Sequence, residues 1–84
     1  MRPFSYSLAE PVAIAFAERS KRDRDELLRI FRRIAESPFQ EGDWIFKRSD
    51  GREIQKKRFG KWLISYWPDA PILEVRIVDA EKLS

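Results

Sequence analysis

The spacing of the apolar residues changes near Pro38. Before it, apolar residues recur at helical spacing among many charges, and after it they alternate in short runs typical of strands. A chain of 84 residues has room for one modest core. Residues 1–84 are therefore expected to form a single domain, with helices first and a sheet built largely from the second half.

The first residues predict a short strand followed by a helix. Phe4, Tyr6 and Leu8 alternate with polar residues, as in a half-buried strand. The segment 11–18 is apolar nearly all round, and Pro11 suits a first helical turn. A helix wedged between a sheet and another helix would have this composition.

A second helix is indicated from Ser20 onward. Ser20 is a suitable N-cap, and the apolar residues that follow fall on one helical face. The helix must end near Ser37, because Pro38 disfavours the α conformation of the residue before it. The apolar face is made of Leu27, Ile30, Phe31, Ile34 and Ala35.

The second half predicts strands joined by short turns. The pair Asp50 and Gly51 is a signal for a tight hairpin. The expected strands cover residues 44–47, 52–58, 61–67 and 72–78. The predicted fold is α+β: one short strand, a two-helix hairpin, then a three- to four-stranded antiparallel meander with the helices on one face.

Positive charge is concentrated in the first strands of this meander. Residues 47–61 carry seven basic side chains against two acidic ones, in a chain with a formal net charge of +3. Strand alternation puts Lys56 and Arg58 on one side and Lys57 on the other. If Lys56 and Arg58 face away from the helices, they would line a cationic groove suited to a phosphate backbone.

A second interpretation of the same basic strand stays open. Exposed edge strands are commonly protected from aggregation by Lys and Arg. Further cations from a neighbouring strand would favour the groove, and Arg76 is the candidate. Trp44, Trp62 and Trp67 leave a similar choice, between platforms on which bases stack and residues of the core.

The absence of two residue types limits the reactions and metal sites that this chain can support. The sequence has no cysteine and no histidine, which removes disulfides, thiolate chemistry and the commonest metal ligands. No cofactor and no metal site are expected. No apolar run is long enough for a membrane span and no signal peptide is visible, so a cytoplasmic protein is expected.

These features together resemble the RelE/ParE superfamily of bacterial type II toxin–antitoxin toxins. The resemblance is carried by residues 4–9 leading into the first helix, by the apolar ladder of the second helix, which closes with Glu36, Ser37 and Pro38, and by the basic strand that leads into residues 60–66. It covers nearly the whole chain. It implies the same order of strand, helical hairpin and antiparallel meander.

The resemblance also implies a function. In the mRNA-cleaving branch of that family, cations of the meander bind the message on the ribosome and assist attack of a 2′-hydroxyl on the adjacent phosphate without a metal. The implied catalytic residues are Lys56, Arg58, Lys61 and Arg76. The implied RNA-binding residues are Lys47, Arg48, Arg52, Lys57 and Lys82. The implied partner is a cognate antitoxin whose acidic or amphipathic segment wraps the helices and covers the basic face.

The end of the chain departs from the family pattern and supports an alternative. Where the family usually has an arginine beyond the final strand, this sequence has residues 78–81, and the terminal Tyr or His of many members is absent. The alternative is a non-catalytic binding module on the same fold. It would be an inhibitor of DNA gyrase, as in the other branch of the family, or an inactivated relative that binds RNA or protein.

Overall fold

A computed structural model describes residues 3–83 of the chain. The elements are β1 (Ser5–Leu8), α1 (Glu10–Ala17), α2 (Lys21–Glu36), β2 (Trp44–Lys47), β3 (Glu53–Phe59), β4 (Trp62–Asp69) and β5 (Glu74–Lys82), with a short 3-10 helix at Ala70–Ile72. The predicted α+β class and order of elements are confirmed.

The five strands form one sheet in the order β1-β5-β4-β3-β2. The strands β2 to β5 are an antiparallel meander, as predicted, whereas β1 lies beside β5 and runs parallel to it. The predicted fold left the pairing of the first strand unspecified, and the structure makes it parallel. The two helices form a crossover between β1 and the meander, and a crossover allows the parallel pairing that a tight turn would forbid.

Helix α2 follows its sequence signals closely. The Ser20 hydroxyl accepts a hydrogen bond from the Asp23 backbone N–H at 3.2 Å, which caps the helix at its start. The predicted apolar face is buried, and Phe31 and Ile34 are completely inaccessible to solvent. Burial of this stripe against the sheet is what holds the helix, because an isolated helix of this length is marginal in water.

The core lies between the helices and one face of the sheet. The buried sheet residues of this core are Trp62, Ile64 and Tyr66 of β4 and Val75 and Ile77 of β5. We call the opposite side of the sheet, which the helices leave uncovered, the open face.

The hairpin between β2 and β3 forms where Asp50 and Gly51 predict it. The Arg48 N–H donates to the Arg52 carbonyl at 2.8 Å, and the Gly51 N–H donates to the Arg48 carbonyl at 2.9 Å. Gly51 has a φ of 85°, which favours glycine because a Cβ would be strained there.

The last strand begins later and runs further than predicted. Leu73 has a φ of 52° and closes the 3-10 turn, so extended structure starts only at Glu74. The strand then continues to Lys82, because β4 offers partners as far as Trp62, which pairs with Lys82. The predicted range 72–78 missed this continuation, and with it the placement of the acidic residues beyond Val78.

Gly42 is required by a close approach of two backbone segments. A Cβ at this position would lie 2.7 Å from the Lys56 carbonyl oxygen and 2.8 Å from the Lys56 nitrogen. The Gly42 N–H also donates to the Gln55 side-chain oxygen at 2.7 Å, which fixes the entry of the chain into β2.

We expect Gly42→Ala to lower the free energy of unfolding by about 1–3 kcal/mol, since the clash is with backbone that cannot turn aside. Urea unfolding measures this effect. Gly51→Asn is the control, because asparagine tolerates a positive φ and nothing lies within 4 Å of a Cβ there. Equal stability of Gly42→Ala and wild type would contradict the close approach.

Candidate nucleic-acid interface

Strand register decides which side chains share the open face. Because Trp62, Ile64 and Tyr66 of β4 point toward the helices, the residues between them point to the open face. Their cross-strand partners form rows with them: Arg58, Leu63 and Glu81; Lys56, Ser65 and Asp79; and, on β4 and β5, Trp67 and Arg76.

Lys56 and Arg58 both lie on the open face, on the side of the sheet away from the helices. Neither side chain forms an ion pair with a carboxylate of residues 3–83. The Lys56 ammonium lies 5.7 Å from the centre of the Phe46 ring, and the Arg58 Nε donates to the Gly60 carbonyl at 2.8 Å. The Asp43 carboxylate accepts a hydrogen bond from the Arg58 backbone N–H at 2.8 Å, but within residues 3–83 no carboxylate forms an ion pair with either charged group.

The alternative of edge protection does not fit this strand. β3 pairs with β2 on one side and β4 on the other, so it is internal to the sheet. The edge strand on this side of the sheet is β2, and its side chains are mostly apolar. Protection of a sheet edge therefore does not explain the cations of β3.

Arg48 and Arg52 lie at the hairpin end of β2 and β3. The Arg52 guanidinium lies 3.7 Å from the centre of the Trp67 ring, which places it on the open face. Both arginines share the carboxylate of Asp50, at 4.0 Å from Arg48 and 3.8 Å from Arg52. The backbone N–H of Arg52 donates to Asp50 and holds its pKa below the usual value. Two cations are thus balanced by a single carboxylate.

Arg76 is on the open face but is already compensated. Its Nε lies 3.5 Å from a carboxylate oxygen of Asp69, and its Nη1 lies 3.8 Å from Glu74. Its cross-strand partner is Trp67 of β4, so Arg76 of β5 lies three strands away from β2. Arg76 contributes less positive charge to the open face than Lys56 or Arg58.

Aromatic side chains lie among these cations. Trp44 and Phe46 of β2 are 56% and 44% exposed, and the register places both on the open face. Trp67 of β4 is half-buried on the same face. Exposed aromatic rings beside Lys and Arg are the usual surface for single-stranded nucleic acid, because bases stack on the rings while cations bind phosphates.

Two further open-face residues are Ser65, which the sequence reasoning missed, and Asp79, which it interpreted as part of a solvent-facing polar tail that could otherwise act as a general acid or base. Ser65 is 1% exposed, and its hydroxyl has no hydrogen-bond partner among the described residues. Asp79 pairs with Ser65 on the opposite side from Lys56, which gives a row with a cation at one end and a carboxylate at the other. Strand alternation could have found Ser65, but the position of Asp79 depends on the length of β5 and its register shift.

Lys61 and Lys82 are not part of the open face, which corrects their grouping with Lys56 and Arg58. The Lys61 ammonium lies 3.6 Å from both Asp23 and Glu26 of α2, and the Lys82 ammonium lies 3.1 Å from Asp23. Both lysines are neutralised on the helix side. The reason is the register at the second turn. Lys82 pairs with Trp62, whose side chain points to the helices, and Lys61 lies in the turn just before Trp62.

Lys57 and Lys47 also point away from the open face. The Lys57 ammonium donates to the Gln40 side-chain oxygen at 2.7 Å and lies 5.6 Å from the centre of the Phe59 ring. Lys47 is exposed at the end of β2, opposite Glu53. The predicted RNA-binding set is thus divided between the two sides of the sheet.

The carboxylate of Asp23 holds the helix-side lysines in place. A hydrogen bond from Lys82 and the charges of Lys82 and Lys61 keep the pKa of Asp23 below its ordinary value of 3.8, against the opposing effect of desolvation. The ion pairs therefore stabilise the fold fully above about pH 3.8, where the Asp23 carboxylate is ionised in both the folded and the unfolded chain. Their contribution is lost as the pH falls through the lowered pKa and Asp23 becomes protonated.

Replacing both helix-side lysines, Lys61→Met with Lys82→Met, should lower stability at neutral pH, because Asp23 loses both partners. The difference from wild type should shrink well below pH 3.8, where Asp23 is neutral in both proteins. Denaturant unfolding across this pH range measures it. Lys21→Met, which breaks an exposed pair with Asp25, is the control and should have little effect at any pH. A difference that grows toward acid would contradict these ion pairs.

Two aromatic residues of β4 are structural. Trp62 is completely buried, and its Nε1–H donates to Glu26 at 2.8 Å, so it is not a stacking platform. The Tyr66 hydroxyl donates to the Gln40 carbonyl at 3.2 Å. Burial, together with the charge of Asp43, raises the pKa of Tyr66 to about 12. Tyr66 is therefore a poor proton donor at neutral pH and lies on the wrong side for the open face.

Other kinds of site are not seen in the part of the chain that the structure describes. Across residues 3–83, no three acidic side chains come together in a way that could hold a metal ion. Neither helix is long and apolar enough to cross a membrane.

Comparisons with known proteins give a likeness in fold without a likeness in sequence. No protein-family model matches the chain, and no curated protein matches it in sequence. A chain of the RelBE2 toxin–antitoxin complex from Mycobacterium tuberculosis is similar in structure, with a TM-score of 0.77 at 13% identity over 96% of this chain and 99% of that chain. The chain has a RelE-like fold.

A second structure supports the same fold. The archaeal RelE–RelB complex from Pyrococcus horikoshii OT3 contains a chain that is similar with a TM-score of 0.71, at 11% identity, over 96% of both chains. The architecture implied by the resemblance is confirmed. At these identities the likeness extends to the fold and not to individual site residues.

Proposed function

We propose that this RelE-like chain is the toxin-like component of a toxin–antitoxin module and acts on single-stranded mRNA bound along the open face. The observation that carries the proposal is the grouping of two uncompensated cations, Lys56 and Arg58, with the exposed rings of Trp44 and Phe46. The likeness to chains from two toxin–antitoxin complexes supports the module and a cognate antitoxin as partner. Such a protein would meet mRNA on ribosomes in the cytoplasm.

The proposed reaction is cleavage by the ribose itself. The 2′-oxygen forms a bond to the adjacent phosphorus while the bond from phosphorus to the 5′-oxygen breaks. One proton leaves the 2′-hydroxyl and one is taken up by the leaving oxygen, so the products are a 2′,3′-cyclic phosphate and a 5′-hydroxyl. Lys56 and Arg58 would stabilise the negative charge that develops on the phosphate oxygens.

The open face also offers a proton acceptor for this reaction. Asp79 is in the same cross-strand row as Lys56, with Ser65 between them. Two strand spacings separate the ends of the row, roughly 10 Å, which leaves room for a ribose and its phosphate. In this proposal Asp79 accepts the proton of the 2′-hydroxyl and the Lys56 ammonium donates one to the leaving oxygen.

A non-catalytic binding module is the second candidate, and one observation favours it. Of the four residues that the resemblance implies for catalysis, Lys61 is neutralised on the helix side and Arg76 is paired with two carboxylates. Lys56 and Arg58 alone would bind RNA without cleaving it. A gyrase inhibitor would use the same fold without any RNA chemistry.

Primer extension on an mRNA translated by purified ribosomes tests the proposal. Cleavage that depends on added protein, and that leaves ends with a cyclic phosphate, would support the endonuclease. Intact message with measurable RNA affinity would favour the binding module. Absence of both, with inhibition of gyrase supercoiling instead, would contradict a role on mRNA.

A further inference from the structure

The edge strand β2 exposes a large apolar surface for so short an element. Trp44, Ile45 and Phe46 are 56%, 55% and 44% exposed, and all four residues of the strand are solvent-accessible. Natural proteins usually protect a sheet edge with charge, proline or a covering segment. On β2 only Lys47 is of this protective kind.

The backbone of β2 also has free hydrogen-bonding groups. The Arg48 N–H bonds to the Arg52 carbonyl, so by the alternation of an antiparallel ladder Trp44 and Phe46 also bond toward β3. The N–H and C=O groups of Ile45 and Lys47 then point outward. Within residues 3–83, no strand pairs on that outer side.

We propose that the outer edge of β2 is a docking site for an extended segment of another protein, in which apolar and acidic residues alternate. Such a segment would add a sixth strand to the five-stranded sheet and bond to the backbone of Ile45 and Lys47. Its apolar side chains would cover Trp44 and Phe46 on the open face. This partner does not depend on the RNA chemistry proposed above, because the bonding groups lie on the edge of the sheet.

Charge on both sides of the edge selects an acidic partner. On the open face, Lys56 and Arg58 lie one strand inward and lack a carboxylate of residues 3–83. On the other side, the Lys57 ammonium donates to the neutral amide of Gln40, and Lys47 is exposed. Because the apolar side chains of the added strand lie on the open face, its acidic side chains point to the other side, where Lys47 and Lys57 lie. Lys56 and Arg58 add to the positive field that attracts such a segment.

The same charges disfavour a second copy of this chain as the occupant. Two β2 strands paired about a twofold axis would join two open faces edge to edge. Lys56 and Arg58 of one copy would then lie on the same surface as those of the other. Like charges brought together in this way weaken association.

Amide hydrogen exchange followed by NMR on the full chain tests the docking site. The probe is a synthetic peptide of alternating valine and glutamate, with blocked ends. On binding, the amides of Ile45 and Lys47 should become protected, whereas those of Trp44 and Phe46 should already be protected in the free protein. A matching peptide of alternating valine and lysine is the control and should not bind. Protection elsewhere, or none at saturation, would overturn the proposal.

Variants separate backbone pairing from apolar contact. Ile45→Pro removes one outward N–H but leaves the bonds to β3, and should weaken peptide binding roughly tenfold or more. Lys47→Pro should act in the same way and serves if the first variant is poorly folded. Ile14→Ser, at a residue of α1 that is also 55% exposed, should bind like wild type. Unchanged peptide affinity in both proline variants would contradict the docking of an extended acidic segment. So would a wild-type dimer, detected by sedimentation, that Ile45→Pro abolishes, because the edge would then bind a second copy of the chain.

Discussion

Replacing the two uncompensated cations together, Lys56→Gln with Arg58→Gln, should reduce mRNA cleavage roughly a hundredfold or more. The reason is that these groups are the ones proposed to meet the phosphate, and loss of a single stabilising donor already costs about that much in other enzymes. If the protein binds without cleaving, the same double variant should lower the salt dependence of RNA binding by about two phosphate contacts. Primer extension and binding at several salt concentrations measure the two effects.

The control for this variant is the neighbouring lysine on the other side of the same strand. Lys57→Gln removes the same charge from β3, but the Lys57 ammonium contacts Gln40 on the helix side. It should leave cleavage and the salt dependence close to those of wild type. If Lys57→Gln is as damaging as the double variant, charge in general matters and the open face has no special role.

Truncation of the buried tryptophan, Trp62→Ala, should destabilise the protein by about 3–5 kcal/mol. Trp62 is completely buried and also donates its indole N–H to Glu26, so its loss leaves a large cavity and an unpaired carboxylate oxygen. For a small domain with a total stability of about 5–15 kcal/mol, this loss is severe. Denaturant unfolding followed by circular dichroism measures it.

Trp62→Phe distinguishes packing from hydrogen bonding at this position. It keeps an aromatic ring in the core and should cost about 1–3 kcal/mol. The contrasting control is Trp44→Ala, on the exposed edge, which should change stability little. If Trp62→Ala folded with wild-type stability but lost RNA affinity, Trp62 would be a stacking platform after all.

The helices could be predicted well because their signals are local. Ser20, the apolar face of α2 and Pro38 each act on residues only a few positions away, and the structure follows them. The hairpin at Asp50 and Gly51 is local for the same reason. Pairing of β1 beside β5 could not be read from the sequence, because it joins segments about seventy residues apart through contacts that no short pattern records.

The candidate site was predictable only within a single strand. Alternation along β3 put Lys56 and Arg58 together, and the structure places them so. The side on which Lys61 and Lys82 lie could not be predicted in this way, because it depends on the second turn and on the extra length of β5. A shift of one residue in a strand moves a side chain to the opposite face, so clusters that span two strands are beyond sequence alternation.

The indole resonances of the three tryptophans test the central claim, that RNA binds to the open face, most directly. A short single-stranded RNA is titrated into the labelled protein, and the Nε1–H signals are followed by NMR. Trp44 and Trp67 should shift, because both lie on the open face beside Lys56 and Arg52. The Trp62 signal should stay in place, since its N–H is bonded to Glu26 on the helix side. A shift of Trp62 alone, or no shift of any indole at saturating RNA, would contradict the account.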